Sequence, residues 1–172
     1  RWKKIQLGSY SFDLSPMIRL PAIFQEVFRL AKQPIDPELR FVPLEVNSRN
    51  FFASGSMLDL TVDAQYLRDQ FEQFSPEDNE GFVEYIKTTH KFYQQFMKLV
   101  KKSRVFDGKF SIFSPSFAQL WSTIHPFQTM NRFHRRFFQD PRLKAVFNRY
   151  ASIVASSPFE APAILSMIPY LE

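Results

Sequence analysis

The stretch RNFFASGSMLDLTVD, residues 49–63, decides how the chain is read. Two β-prone arms flank Ala53-Ser54-Gly55-Ser56, a short glycine-bearing loop of the kind that joins hairpin strands. Asp63 follows the second arm, where a side-chain oxygen can accept from the free N–H groups at a helix start. Strand structure is therefore expected to end at Val62 and helix to begin at Ala64. Upstream, WKKIQL (2–7) and YSFDL (10–14) flank Gly8-Ser9 and read as a first hairpin. AIFQEVFRLA (22–31) sets Ile23, Val27 and Leu30 on one helical face with Phe24 and Phe28 adjoining, and QPIDP stops it. LRFVPLEV (39–46) reads as a strand whose proline suits an edge or bulge.

Downstream, periodicity is helical. Residues 64–74 place Tyr66, Leu67, Phe71 and Phe74 on one side. Ser75 as cap, Pro76 in the first turn and acidic Glu77, Asp78 and Glu80 mark the start of the longest helix, with Gly81 a mild weakness. Phe82, Tyr85, Ile86, Thr89, Phe92, Tyr93, Phe96, Leu99 and Val100 form its apolar stripe; Lys87, Lys91, Lys98 and Lys102 lie opposite. A loop is expected around Asp107-Gly108 and Ser114-Pro115. The aromatic run from Phe117 to Phe138 is divided by Pro126 into two short helices. Asp140-Pro141 caps another helix, with Leu143, Val146, Phe147 and Tyr150 inward, and Ser157-Pro158 opens the last. The order is β-rich over 1–62 and helical over 63–172, an α+β fold.

Composition narrows the chemistry. The chain has 172 residues, 21 of them Phe, and no Cys. The phenylalanines suit a thick core, a partner interface or a site for a large apolar ligand. Without cysteine there is no disulfide, thiolate nucleophile or Cys-ligated metal, and His90, His125 and His134 form no metal-binding pair, so no metal is expected. Four glycines do not make a GxGxxG or phosphate-cradling loop. Acid pairs such as Asp36/Glu38 and Glu77/Asp78 sit in turns and helix starts and read as caps rather than as acid–base machinery, and no catalytic residue is named. His134, between arginines in NRFHRRFF, reads as part of a solvated basic face.

Charge is uneven. Residues 1–86 carry nine basic and thirteen acidic side chains; residues 87–172 carry thirteen and four. The basic half asks for an anionic partner, and the lysines of the long helix with Arg132, Arg135 and Arg136 suit anionic lipid as well as plain solvation. Nucleic acid is set aside, because no helix-turn-helix or single-strand-binding signature accompanies the charge.

Several segments resemble bacterial carotenoid desaturases, the phytoene and diapophytoene desaturases and related oxidases. Ser157-Pro158-Phe159-Glu160-Ala161-Pro162-Ala163 looks like their SPF/Y-x-APA segment, and Asp140-Pro141-Arg142-Leu143 precedes it as in that family. Phe52, Gly55, Leu58 and Leu60 match F-x-x-G-x-x-L-x-L, and Phe12-Asp13-Leu14-Ser15-Pro16 resembles FDxGP, with Ser15 where the family usually has glycine. The resemblance spans nearly the whole chain.

The resemblance implies an internal substrate-domain piece of an FAD-dependent oxidoreductase that removes hydrogen from a long apolar isoprenoid, with the FAD-binding domain outside this chain. It places Arg1, matching the arginine of a GGR motif, near the FAD pyrophosphate and Ser15-Pro16 near the flavin ring. It implies substrate contact by Trp121, Phe127, Phe133, Phe137, Tyr150 and Phe159, and a membrane-facing set of Lys87, Lys91, Lys98, Lys102, Arg135 and Arg136. The expected partners are a carotenoid substrate, the missing FAD-binding domain and a membrane surface. The expected location is cytoplasmic, peripheral on the inner face of the cell membrane. The fragment alone is expected to be inactive, and an uncovered sheet edge invites pairing between two copies. The rival reading is a non-enzymatic helical module that binds lipid or an anionic membrane.

Overall fold

The computed structural model describes residues 4–13, 21–35, 41–102 and 127–171. The chain divides into two compact units, Arg1–Pro43 and Leu44–Glu172. The expected loop at 107–115, the first half of the aromatic run, and Asp36, Glu38 and His125 lie outside the described residues.

In the first unit, β1 (Lys4–Leu7) pairs antiparallel with β2 (Tyr10–Asp13), Leu7 opposite Tyr10. Gly8 takes a φ of 62°, which a glycine adopts without the Cβ penalty. Helix α1 (Pro21–Leu30) begins on its proline, whose missing N–H costs nothing in a first turn. Val27 and Leu30 on α1, like Leu7 and Tyr10, are exposed.

The second unit holds the core. Strands β3 (Ser48–Phe51) and β4 (Met57–Leu60) form the expected second hairpin, with Gly55 at a φ of 81° in its turn. Leu58 and Leu60 point inward. Asp63 Oδ1 accepts from the N–H groups of Gln65 and Tyr66 and starts α2 (Ala64–Phe74) as expected. Helix α2 lies beside β4 and completes its edge: the Gln70 side-chain amide accepts from Asp59 N–H and donates to Asp59 C=O. The hairpin thus belongs to the helical unit, and the change from strand to helix at 62–63 falls inside it. Among the described residues both sheets are two-stranded and antiparallel and the remainder is mostly helical, so the fold is α+β.

Helix α3 (Asn79–Lys102) spans 24 residues, about 36 Å at 1.5 Å per residue. Phe82, Tyr85, Thr89 and Phe92 are buried at helical spacing, and Ile86, Tyr93 and Phe96 pack against that core. Thr89 donates its hydroxyl back to the Tyr85 carbonyl, so a polar side chain is satisfied inside the apolar stripe. Two short helices cover this face, α4 (Met130–His134) and α5 (Pro141–Asn148). Asp140 caps α5, and Leu143, Val146, Phe147 and Tyr150 are buried as expected.

Four expectations are corrected. Residues 41–46 form no strand: Pro43 lacks a donor, and the neighbouring bonds, Thr61 hydroxyl to Glu45 C=O and Asn47 N–H to Leu60 C=O, build no ladder. Tyr66 is exposed rather than inward. Ser75 does not cap backbone; its hydroxyl donates to Asp78, and a 3-10 turn (Pro76–Asp78) precedes α3. Ser157-Pro158 opens one turn, not a helix, because Pro162 cannot donate the next bond; 3-10 turns at Ala163–Met167 and Pro169–Leu171 follow.

The 3-10 segment Arg149–Val154 ends on Ala155 in the left-handed region, φ 52°, ψ 36°, with Ala155 and Ser156 N–H groups bonding back to it. An alanine Cβ is strained there. Ala155→Gly is expected to raise stability by about 0.5–1 kcal/mol, read as a higher denaturant midpoint at unchanged slope.

Candidate functional site

The aromatic core of the second unit gathers around Tyr85. Its ring lies 4.9–6.1 Å from those of Phe133, His134, Phe137, Phe138 and Phe147. Phe71 stacks on Phe82 at 4.3 Å, and Phe138 on Phe147 at 4.7 Å. The Tyr85 hydroxyl donates to the Ser166 carbonyl at 2.7 Å, tying α3 to the final 3-10 segment. Burial pushes the Tyr85 phenol well above its ordinary pKa, so it stays protonated as a donor.

Two charged groups make a joint beside this core. Asp78, fully buried, accepts from Gln139 N–H at 2.6 Å and Asp140 N–H at 2.8 Å. Arg142 bonds Asp140, the Phe74 carbonyl and Ser56 Oγ, and its guanidinium sits 3.9 Å from the Phe74 ring centre. That hydrogen bonding lowers the Asp140 pKa, which keeps the carboxylate charged as an N-cap. The joint locks the β3–β4 turn, the end of α2 and the start of α5 together. Arg142 is held through Nε, Nη1 and Nη2, which fixes its guanidinium in this joint.

His134 is not on a solvated face. It is buried, because the face of α4 that carries it packs against Tyr85, Phe138 and Phe147. Asn148 Oδ1 can only accept, so His134 Nδ1 carries the proton across their 2.8 Å contact; Asn148 Nδ2 then donates to Asn131 Oδ1. Nε2 is left buried, without a partner among the described residues. Burial lowers the His134 pKa to about 4, partly offset by the Asn148 bond. The folded state therefore resists a proton that the unfolded chain accepts below about pH 6.5. Stability is full above that pH and falls as pH drops toward 4, by about 2 kcal/mol between pH 7 and pH 5. Denaturation at the two pH values should show this loss, and His134→Asn should flatten it.

The residues expected to act separate into groups. Phe133, Phe137 and Tyr150 are brought together in the core. Phe159 is 67% exposed and Phe127 88% exposed, away from that cluster. Lys87, Lys91 and Lys98 are exposed along α3, and Arg135 and Arg136 are exposed just after α4. Glu80 and Glu84 precede the lysines on the same face, so its charge runs from acidic to basic along the helix, as the helix dipole favours. Arg1, Ser15, Pro16 and Trp121, and the side chain of Lys102, lie outside the described residues. The joint at Asp78 and the His134–Asn148–Asn131 chain were missed. Each depends on partners fourteen or more positions away in sequence, which periodicity does not report. Among the described residues no cluster of three or more His, Asp or Glu side chains could hold a metal ion. Among them also, no helix is long and apolar enough to cross a membrane.

Segments that carry the family resemblance meet in this unit. Phe52 and Ser56 of the hairpin touch Arg142 of the DPRL segment. The SPFEAPA segment pairs with residues 128–131 through Met130 N–H to Ala161 C=O and Asn131 N–H to Pro158 C=O. Along 91–100% of its length, the chain is similar to curated carotenoid desaturases and a carotenoid oxygenase. It is 29% identical to a 4,4'-diapolycopene oxygenase of Methylomonas sp over 95% of this chain and 33% of that protein. It is 26% identical to a hydroxyneurosporene desaturase of Cereibacter sphaeroides (91% and 32%) and 27% to a phytoene desaturase of Cercospora nicotianae (100% and 28%). The chain thus spans about a third of the length of these relatives. No protein-family model matches it.

Proposed function

We propose that the chain is the substrate-domain part of an FAD-dependent oxidoreductase that desaturates or oxidises a carotenoid. The observation that carries this reading is similarity along nearly the full chain to relatives named for those activities. It is supported by the meeting of the hairpin and the DPRL segment at Arg142. In this reading FAD accepts the hydrogen removed from the isoprenoid. The described residues do not fit a flavin cradle: Gly8 and Gly55 sit singly in hairpin turns, and Gly81 is taken up by its contact with the Phe137 backbone. The cofactor is therefore assigned to other parts of the parent, with Arg1, Ser15 and Pro16 as the proposed contacts from this chain. The aromatic core keeps the substrate domain rigid, and the basic face with Phe127 and Phe159 faces the bilayer in which the substrate dissolves. The parent is then a peripheral protein on the inner face of the cell membrane.

The parent reading frame is expected to encode GxGxxG and, directly before Arg1, two glycines. The purified parent is expected to carry FAD. A parent that lacks the loop and purifies without flavin would contradict the proposal. The second reading, a lipid-binding module without redox chemistry, draws on the exposed lysines of α3; it predicts that this chain alone takes up a polyene.

A further inference from the structure

Ile86, His90, Tyr93 and Met97 follow one another at helical spacing along α3, and all four are half-buried. They form the border between the buried stripe of that helix and its exposed lysines. None is a Lys, Arg, Asp or Glu, so the strip is apolar except at His90. Tyr170, in the 3-10 turn Pro169–Leu171, lies on it. Its ring centre is 5.0 Å from that of His90 and 5.8 Å from that of Tyr93.

The hydrogen bonds at this point fix where the protons sit. Gln94 Nε2 can only donate, and its partner at 2.6 Å is His90 Nε2, which therefore accepts. The ring proton of His90 is then on Nδ1, and Nδ1 donates to Tyr170 Oη at 2.5 Å. The phenol oxygen serves as an acceptor, and its own hydrogen meets no acceptor among the described residues. Tyr85, on the same helix, is the contrast: its hydroxyl is taken up by the Ser166 carbonyl inside the core. Tyr170 is half-buried, so its phenol can be reached from outside.

We propose that Tyr170 is a specificity-determining donor, giving its phenol hydrogen to a hydroxyl or carbonyl oxygen of an otherwise apolar chain that lies along Ile86, Tyr93 and Met97. A phosphate or carboxylate asks for a cation, which the strip lacks. A pure hydrocarbon strips water from the phenol and returns no acceptor. A single uncharged oxygen on an apolar chain meets both conditions. His90 and Gln94 are positioning residues: they occupy the phenol oxygen and leave its hydrogen for the ligand. The inference deepens the proposed carotenoid reading and rests on it for the isoprenoid nature of the chain. It selects an oxygen-bearing isoprenoid over a hydrocarbon one at this point.

The full parent protein in detergent is tested by equilibrium binding of two tritiated probes. One is geranylgeraniol, which carries one hydroxyl; the other is the hydrocarbon of the same skeleton. Tyr170→Phe keeps the ring on Tyr93 and should weaken geranylgeraniol binding on the order of 10-fold, with hydrocarbon binding unchanged. His90→Phe should weaken the alcohol by a smaller factor and again spare the hydrocarbon. Nitrogen NMR of the unaltered protein should find the His90 proton on Nδ1. A Tyr170→Phe variant that binds both probes like the parent, a solvated phenol only, would overturn the proposal. So would equal losses for the two probes, or a His90 proton on Nε2. FAD content and carotenoid conversion are measured without either probe, so failure there and failure here are distinguishable.

Discussion

Asp78→Ala is expected to destabilise the second unit by about 2–4 kcal/mol, since two part-buried amides lose the fully buried carboxylate that accepts from them, each loss costing about 1–3 kcal/mol. Those amides, Gln139 and Asp140, lie just before α5, and Asp140 also caps that helix and holds Arg142. The loss should therefore spread to the grip of Arg142 on Ser56 and Phe74. Asp78→Asn keeps one acceptor oxygen and should cost roughly half as much. Equilibrium urea unfolding reads both. A change below about 1 kcal/mol for the alanine variant would mean that residues 139–140 do not depend on this carboxyl group.

Gly81→Ala should also destabilise, against the usual preference of helices for alanine. The propensity gain is about 1 kcal/mol. A Cβ at position 81, however, would stand 1.9 Å from the Phe137 carbonyl oxygen, which is backbone and cannot rotate away. Relieving that overlap means parting α3 from the turn after α4, where Phe133 and Phe137 pack on Tyr85. Overpacking that shifts backbone costs typically about 1–3 kcal/mol, and a 1.9 Å approach calls for the upper end, so the net loss is about 2 kcal/mol. A stabilised Gly81→Ala variant would show that the approach of the two segments is looser than described.

These two sites mark where local reading stops. Asp63 capping α2, Gly55 in the hairpin turn and the stripe from Phe82 to Phe92 were legible, because each rests on neighbours within a few positions. Gly81 looks like a flaw in a helix until Phe137, far along the chain, is set against it. His134 sits among arginines in sequence, yet burial follows from what α4 packs on rather than from its neighbours. The strand expected over 39–46 is absent at 41–46 because Pro43 removes a donor and no partner strand among the described residues compensates. The 158–163 helix failed because Pro162 interrupts the bonding one turn in. Of the residues expected to contact substrate, Phe133, Phe137 and Tyr150 lie in the core cluster, and aromatic composition alone does not separate core from ligand lining.

The relatives carry activities on carotenoids, and this chain spans about a third of their length. The most direct test of the proposed function is therefore made on the full parent protein. Purified parent, supplied with FAD and a carotenoid precursor in detergent, should convert that precursor to a product with a longer polyene or an oxidised end group, seen as a red-shifted absorption spectrum and a new chromatographic peak. A parent that binds FAD and the precursor yet leaves every carotenoid unchanged, or that binds no flavin at all, would contradict the account.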